Sequence, residues 1–467
     1  MLKTSFGDSD SKYERLVPLA TLRGHTKSIS TFQYIYLPSN LCYIEKSSLT
    51  VENKTYVQLL TPTLLTADEL GWLIWWDLNT KRPLGVWKGH DATILTIKQL
   101  GIDWRLDLVK GYLVPIIKDF KVFGKVLTHG KDSEIKIWNL FEMLDNDFSS
   151  FKFQIVHSKK LPIENCDNIE KLWPSSCYYK IPVNTLNYSN VDIIGRQLIT
   201  PSTINSNNFD IFLLQLNLED KLSRIFKDIS ITEKIETNFD SNIMKNRDFG
   251  IIMKFKWINE FEVAIGYESG HVAIFNLDFV KKQVNILKLD STHSPHPILA
   301  LDYDILHNRI ISSSAGGKLS FISLNDKDLI TTENIKHNGI SSISSRSDGL
   351  LAVTTWNGYT RVYNTNTNNN TNNNTMTLKF KINRFTPSVA VNAINLENKE
   401  GIDSKIKSVI VLFAEIQQNY TQLNTDKSLS YNNGTSKLIV RNRDKTSFDR
   451  RYMCVGFNDG RVVVYDI

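Results

Sequence analysis

A hairpin signature recurs along this chain, and it constrains the fold more than any other feature. Six times, an apolar run reaches a turn containing Gly, and a second run with alternating side chains follows. Strand side chains alternate between two faces, and Gly paired with Asn, Asp, Ser or Gly favours tight hairpin turns. These six hairpins end near Leu78, Leu140, Leu277, Leu324, Tyr363 and Ile467. The pattern predicts a chain built almost entirely of short antiparallel strands.

The first two hairpins carry further marks of a repeat. Each is preceded by Gly-His, at His25 and His90, and each ends at a Trp, Trp76 and Trp138. Gly-His near the start and Trp-Asp near the end of a unit of about 40 residues mark WD repeats, which form the four-stranded blades of β-propellers. The sequence therefore predicts an all-β WD-repeat β-propeller.

Six blades are read directly, and a seventh is inferred between Asn139 and Phe255. There, residues 181–187 are predicted to be an inner strand, with 197–201 and 210–216 as its hairpin partners. One domain of seven blades is expected. The predicted blades are 23–78, 87–140, 181–216, 250–277, 297–324, 336–363 and 386–467, the last with a long insertion at 396–450.

The two ends of the sequence predict how the ring closes. The last repeat stops at Ile467, after its third strand, whereas residues 15–22 form a strand-like run before the first Gly-His. Pairing this run with the last blade removes two exposed strand edges, which are association hazards. Pro18 is tolerated there because an outer strand is an edge strand. We therefore predict that 15–22 closes the last blade.

Composition narrows the classes of function. The net charge of +6 over 467 residues falls short of the basic stripe of a dedicated nucleic-acid binder. The four cysteines include no Cys-x-x-Cys pair, which disfavours a zinc site or a disulfide framework. No run approaches the roughly 18 uninterrupted apolar residues of a membrane span, so no membrane association is expected.

His90, Asp132 and Trp138 are predicted to form the hydrogen-bond relay of a WD blade, together with a hydroxyl residue. A buried polar network of this kind rigidifies a sheet when every member is satisfied, so the expected role is structural and not catalytic. In the first blade, Leu70 occupies the position of the turn Asp, which predicts an incomplete relay. The last blade has Asp459 but no Gly-His before it.

No catalytic, cofactor-binding or metal-binding residue is predicted. Residues 266–270 lack the central Ser of a G-x-S-x-G elbow, and Lys318 lacks the upstream Gly of a phosphate-binding loop. His293 and His296 lie among prolines, which preclude the helix of an HExxH metal site. Neither a cofactor nor a small-molecule substrate is expected.

The most basic cluster of the chain lies within the long final insertion and just after it. Its members are Arg441, Arg443, Arg450 and Arg451. A solvated face is the simpler interpretation, and a contact with phosphate or an acidic partner is the alternative.

Several segments resemble ASTRA-associated protein 1, a fungal WD-repeat family related to the animal G-protein β-subunit-like proteins. The strongest is 71–90, GWLIWWDLNTKRPLGVWKGH, and others are 128–138, 181–187, 250–257 and 264–270. The Trp-Trp-Asp-Leu…Arg-Pro…Gly-His join and the Pro-Val-Asn-x-Leu-Asn segment are not required by the WD repeat, so they carry the resemblance.

The resemblance implies a non-enzymatic scaffold subunit of the ASTRA assembly, located in the nucleus, with the cytoplasm as a second location. The implied partners are a kinase-like scaffold, AAA-type helicases and the Tel–Tti maturation factors. The implied roles are chromatin regulation, through indirect chromatin contact, and maturation of phosphatidylinositol-3-kinase-related kinases. The alternative is a signalling-type G-protein β-like adaptor, whose usual N-terminal coiled-coil helix would not fit in residues 1–14.

Overall fold

Seven four-stranded antiparallel sheets surround a central channel, which confirms the predicted all-β propeller. The computed structural model describes residues 16–38, 60–107, 112–117, 119–143, 153–155, 177–184, 189–216, 222–238, 248–326, 329–366, 376–385, 405–416 and 450–467. We designate the strands of each blade a to d, from the channel outward.

The blades follow one another in chain order. Blade 1 comprises Ile29–Pro38, Leu60–Asp68, Trp72–Asp77 and Arg82–Lys88, and blade 2 comprises Ile94–Gln99, Lys125–Gly130, Glu134–Asn139 and Cys177–Pro182. Blade 3 comprises Asp192–Ile194, Gln197–Pro201, Phe209–Leu214 and Leu222–Ile229, and blade 4 comprises Ile252–Asn259, Glu262–Tyr267, Val272–Asp278 and Gln283–Asp290. Blade 5 comprises Ile298–Asp304, Arg309–Ser314, Lys318–Ser323 and Ile330–Asn334, and blade 6 comprises Ile340–Ser345, Leu350–Thr355, Thr360–Asn364 and Thr377–Ile382. Blade 7 comprises Ser408–Phe413, Tyr452–Phe457, Val462–Asp466 and, as strand d, Pro18–Leu22.

Strand d of blade 7 confirms the predicted closure. Pro18–Leu22 pairs antiparallel with Val462–Asp466, and Leu22 lies opposite Val462. Pro18 stands at the outer edge of the sheet, where the missing N–H costs no ladder hydrogen bond.

The predicted inner strand of blade 3 was wrong. Cys177–Pro182 instead pairs with Glu134–Asn139 as strand d of blade 2, with Ile181 opposite Ile135. Strand a of blade 3 is Asp192–Ile194, which pairs with Gln197–Pro201. Alternating side chains identify a strand but not its partner, and residues 140–176, which separate strands c and d of blade 2, concealed the pairing.

Smaller elements decorate the ring. A hairpin of Ile102–Asp107 and Tyr112–Ile117 and a short helix, Phe120–Phe123, lie between strands a and b of blade 2. A helix at Ile231–Asn238 follows blade 3. Within the described residues, Phe141–Met143 also pairs antiparallel with Phe153–Ile155, and Arg384–Phe385 pairs antiparallel with Lys405–Ile406. Within the described ranges, no helix is long and apolar enough to cross a membrane.

Two faces of the ring follow from the meander order of the strands. The links from a to b and from c to d lie at one end of the channel, which we call the ab face. The links from b to c, and from d to the next blade, lie at the other end, which we call the bc face. On the bc face, Gly71 has φ of +84°, and a Cβ there would lie 2.0 Å from the carbonyl oxygen of His90. Each bc turn of this kind therefore packs directly against the link that enters the next blade.

The core lies between the blades and is rich in aromatic side chains. Trp75, Trp87 and Trp138 are fully buried, and the rings of Trp87 and Trp138 lie 6.1 Å apart. A buried Trp removes more apolar surface from water than an aliphatic side chain does, so the Trp-rich end of each of the first two blades anchors it to its neighbour.

Candidate functional site

The structure brings His90, Asp132 and Trp138 together around the hydroxyl of Thr128. Trp138 Nε1 donates to Thr128 Oγ1 at 2.7 Å, and Thr128 Oγ1 lies 2.7 Å from His90 Nε2. The other ring nitrogen, His90 Nδ1, lies 2.9 Å from Asp132 Oδ1. A neutral imidazole satisfies the whole set, because Nδ1–H donates to the carboxylate and Nε2 accepts the threonine hydroxyl.

The electrostatics of this relay agree with a neutral histidine beside an ionised aspartate. Burial lowers the pKa of His90, against the opposing influence of Asp132. Burial would raise the pKa of Asp132, but hydrogen bonds from His90 and from the Asp91 N–H lower it to about 2. The proton therefore stays on Nδ1 of a side chain with no exposed surface, which is the arrangement of a structural lock.

Blade 1 has a complete relay, so the prediction of an incomplete one was wrong. His25 Nε2 lies 2.7 Å from Thr66 Oγ1, which accepts the Trp76 indole N–H at 2.9 Å. His25 Nδ1 lies 2.9 Å from Asp68 Oδ2. The carboxylate comes from the end of strand b instead of the turn, and Leu70 in the turn is 43% exposed.

The two relays use alternative positions for the acid. Asp68 stands two residues after Thr66, and the matching residue in blade 2 is Gly130. A Cβ on Gly130 would come within 2.4 Å of His90 Nδ1. An acid in the turn therefore needs a glycine at the strand end, whereas Asp68 makes the turn acid unnecessary. The Thr-x-Asp spacing after Gly-His is the signal that the sequence reading missed.

A partial relay occurs in blade 5. His293 is buried, and its Nε2 lies 2.9 Å from Ser312 Oγ. Ser312 has the same register against strand a as Thr66 and Thr128 have in their blades. Within the described residues, no group of three or more His, Cys, Asp or Glu side chains could hold a metal ion.

A ring of polar contacts, which we call the polar belt, surrounds the central channel and bridges every pair of neighbouring blades. The channel encloses about 320 Å³. From the blade 1–2 interface round to the blade 7–1 interface, the bonded pairs are Tyr36–Gln99, Lys98–Asp192, Asp192–Trp257, Lys256–Asp302, Asp302–Ser345, Ser344–Phe413 and Glu415–Tyr36. The polar belt thus ties the seven inner strands into a closed circuit.

Charge in the polar belt is paired at close range. Lys256 Nζ lies 2.7 Å from Asp302, and Lys98 Nζ lies 2.9 Å from Asp192. Burial would lower the pKa of Lys256, but the charges of Asp302 and Asp192 outweigh it and raise that pKa. Burial, reinforced by the charge of Asp302, raises the pKa of Glu415 to about 7. The chemistry that this arrangement supports is cross-linking of blades by ion pairs and hydrogen bonds.

The predicted basic patch is only partly described. Arg441 and Arg443 lie outside the described residues. Arg450 lies 3.8 Å from Asp466, and Arg451 lies 3.6 Å from Asp348. Both described arginines therefore have carboxylate neighbours on the ab face, and contact of the patch with a partner stays a prediction.

Comparison with known proteins places the whole ring in one family. A family model described as ASTRA-associated protein 1 matches residues 18–465. A protein of that name from Komagataella phaffii is 33% identical over 459 residues, covering 96% of each chain. Another from Debaryomyces hansenii is 29% identical, covering 74% of this chain and 81% of its own.

Two solved structures share the fold. The β-propeller domain of Cps50 (Swd1) from Myceliophteria thermophila has a TM-score of 0.51 at 9% identity and covers 97% of this chain and 100% of that one. Raptor from Chaetomium thermophilum has a TM-score of 0.52 at 11% identity and covers 96% of this chain and 29% of that one. At such low identity the likeness concerns the fold alone.

Proposed function

Because the chain belongs to the ASTRA-associated protein 1 family, we propose that it is a non-catalytic scaffold subunit of the ASTRA assembly. The observation that carries the proposal is the family match from residue 18 to 465, which runs through all seven blades and the closing strand. Because the match covers the whole ring, we assign the proposed role to the complete propeller and not to a single blade.

The architecture supports a scaffold. Inside the blades, His25 and His90 bond to Asp68 and Asp132, and in the polar belt Lys98 and Lys256 pair with Asp192 and Asp302, so these side chains make structural contacts. The result is a preorganised ring with two faces and a rim. A rigid ring loses little conformational entropy when it binds a partner, and its loops offer separate surfaces to several partners at once.

The partners that we propose are the kinase-like scaffold, the AAA-type helicases and the Tel–Tti maturation factors. In this proposal the protein acts in the nucleus, contacts chromatin indirectly, and supports both chromatin regulation and maturation of phosphatidylinositol-3-kinase-related kinases. The modest net charge of +6 supports indirect contact, since direct binding to DNA draws on clustered phosphate-neutralising residues.

Affinity purification of the tagged full-length chain from its host, followed by mass spectrometry, tests the proposal. We expect all three partner classes, with recovery unchanged by nuclease treatment, and a loss of the large kinases when the chain is depleted. An untagged strain is the control. Recovery of a GTPase-type partner without those classes would overturn the proposal in favour of a signalling adaptor.

A further inference from the structure

Five cations cluster on the bc face where blades 6, 7 and 1 meet, and we call them the cationic arc. They come from the link between blades 6 and 7, the bc turn of blade 7, and the link between blades 7 and 1. Its members are Arg23, Lys27, Arg384, Lys407 and Arg461. Three separate stretches of sequence thus supply one surface.

Backbone contacts make this surface continuous. A Cβ on Gly358, in the bc turn of blade 6, would lie 3.0 Å from the Cα of Lys407. The N–H of Lys407 donates to Asn458 in the bc turn of blade 7 at 2.9 Å. A Cβ on Gly460 in that turn would lie 2.8 Å from the carbonyl oxygen of Lys27. The three blades therefore present the cationic arc without a gap.

Positive charge exceeds negative charge along the cationic arc. Asp459 lies 3.6 Å from Arg384 and 3.5 Å from Arg461. Within the described part of the chain, Arg23, Lys27 and Lys407 have exposed side chains and no ion pair. The carboxylates on this surface are Asp459 and Glu69, whose N–H donates to the Ser28 carbonyl beside Lys27 at 3.1 Å. Five cations and two carboxylates leave a net charge of 5 − 2 = +3.

Arg384 is the strongest sign that the cationic arc takes a ligand. Its side chain is 21% exposed and stacks on Phe457, with 4.9 Å from guanidinium carbon to ring centroid. The Nη1 of Arg384 and the Oδ2 of Asp459 pair with each other at 3.6 Å, which is beyond hydrogen-bond distance, and among the described residues neither atom has a hydrogen-bond partner. Burial lowers the pKa of Arg384, and the positive charges of Arg461 and Arg23 add to that effect, against the pull of Asp459. This half-buried guanidinium therefore has an N–H whose carboxylate neighbour lies beyond hydrogen-bond distance, and an incoming carboxylate would accept it.

An exposed aromatic ring ends the cationic arc at blade 6. Trp356 is 55% exposed and precedes Gly358 in the bc turn. A Cβ on Gly339 would lie 2.1 Å from the Trp356 ring, so the indole rests directly on the backbone at Gly339. Exposed tryptophans on rigid supports are favoured anchors of protein interfaces.

We propose that the cationic arc binds an acidic segment of a protein partner, whose apolar residue packs on Trp356. An acidic protein segment fits better than a nucleic-acid backbone because Asp459 lies between two arginines of the arc. A regular line of phosphates would be repelled there, whereas a protein segment can place an uncharged residue opposite Asp459. This inference rests on the proposed role as a protein-binding subunit and names the chemistry of one partner.

A binding assay with the purified full-length protein tests the proposal. The probe is a fluorescein-labelled peptide in which Glu pairs alternate with Gly around one central Phe, and the comparison probe is single-stranded DNA of equal net charge. The test variant is Arg23→Gln/Lys27→Gln/Lys407→Gln. The control is Arg82→Gln/Lys282→Gln/Lys379→Gln, which changes three exposed cations outside the arc. Both variants have a net charge of 6 − 3 = +3.

We expect the test variant to bind the peptide about tenfold more weakly, since exposed ion pairs are individually weak but add over three sites. The control should stay within about twofold of the parent protein. Trp356→Ala should abolish the advantage of the Phe peptide over a Phe-free version, with unchanged melting. Equal losses in both triple variants, or tighter binding of the DNA, would overturn the proposal. If the peptide does not bind but the assembly subunits are still recovered by affinity purification, only the proposal for the cationic arc is refuted. If the assembly subunits are not recovered, the proposed function is refuted.

Discussion

Replacing the relay threonines Thr128 and Thr66 by valine tests whether the relay of blade 1 is as complete as that of blade 2. Thr128→Val keeps the shape of the side chain but leaves the Trp138 indole N–H and His90 Nε2 without partners, each from a contact of 2.7 Å. Two lost hydrogen bonds at about 1 kcal/mol each, with a penalty for the stranded indole N–H, give about 2–4 kcal/mol of destabilisation.

Thr66→Val in blade 1 breaks the equivalent contacts, at 2.7 and 2.9 Å. The two threonines are fully buried, so we expect the two costs to agree within about 1 kcal/mol. The matched control is Thr31→Val, because the Thr31 side chain forms no hydrogen bond within the described ranges. Its cost should stay below about 0.5 kcal/mol.

Thermal unfolding followed by circular dichroism measures the effect. An unfolding entropy of about 2 cal/mol/K per residue over 467 residues corresponds to about 1 °C per kcal/mol. We therefore expect Tm to fall by about 2–4 °C in the two relay variants. If Thr66→Val has a normal Tm while Thr128→Val has a lowered one, the blade 1 relay is refuted. The prediction of an incomplete relay, based on Leu70 in the turn, would then hold.

Three further predictions concern pH, closure and the polar belt. Burial lowers the pKa of His129 to about 3, below its unfolded value of about 6.5. Because the unfolded chain takes up the proton first, stability is lost as the pH falls from about 6.5 towards 3. The variant His129→Leu should therefore show a weaker pH dependence of the urea midpoint over that range. Deletion of residues 1–22 exposes the edge of Val462–Asp466 and should produce oligomers that light scattering detects. Deletion of residues 1–15, which keeps the closing strand, should leave a monomer. A monomer in both cases would contradict closure by the first strand. Tyr36→Phe removes the hydroxyl that accepts the Glu415 N–H at 2.9 Å and should cost about 1 kcal/mol in urea unfolding, with an unchanged midpoint counting against the polar belt.

Much of the fold was predictable because each WD repeat carries local sequence signals, namely turn residues and alternating apolar side chains, that specify its own hairpins. The hairpin turns and the closing strand follow from turn residues, alternation and an unfilled sheet edge. The error at 181–187 arose because an alternating pattern identifies a strand but does not identify the strand with which it pairs. Asp68 was missed for a related reason, since a carboxylate can reach the same imidazole from either of two positions.

The cationic arc shows the other limit of sequence reasoning. Arg23 and Arg461 stand near opposite ends of the chain, and Arg384 lies far from both. The sequence pointed instead to arginines that are neighbours along the chain. Only the closure of the ring brings residues from the first and last strands onto one surface.

Closure also sets the order in which the protein can mature. Pro18, opposite Tyr465 in the finished sheet, is separated from it by 465 − 18 = 447 positions. During synthesis the first strand must wait for almost the entire chain before its partner exists. The entropic cost of joining such distant ends grows only logarithmically with length, and the other six blades pair strands in chain order, so the closing strand is the one distant pairing among the described strands of the blades. Until Val462–Asp466 has been synthesised, Pro18–Leu22 has no partner strand, and unpaired strand edges of this kind favour association with other chains.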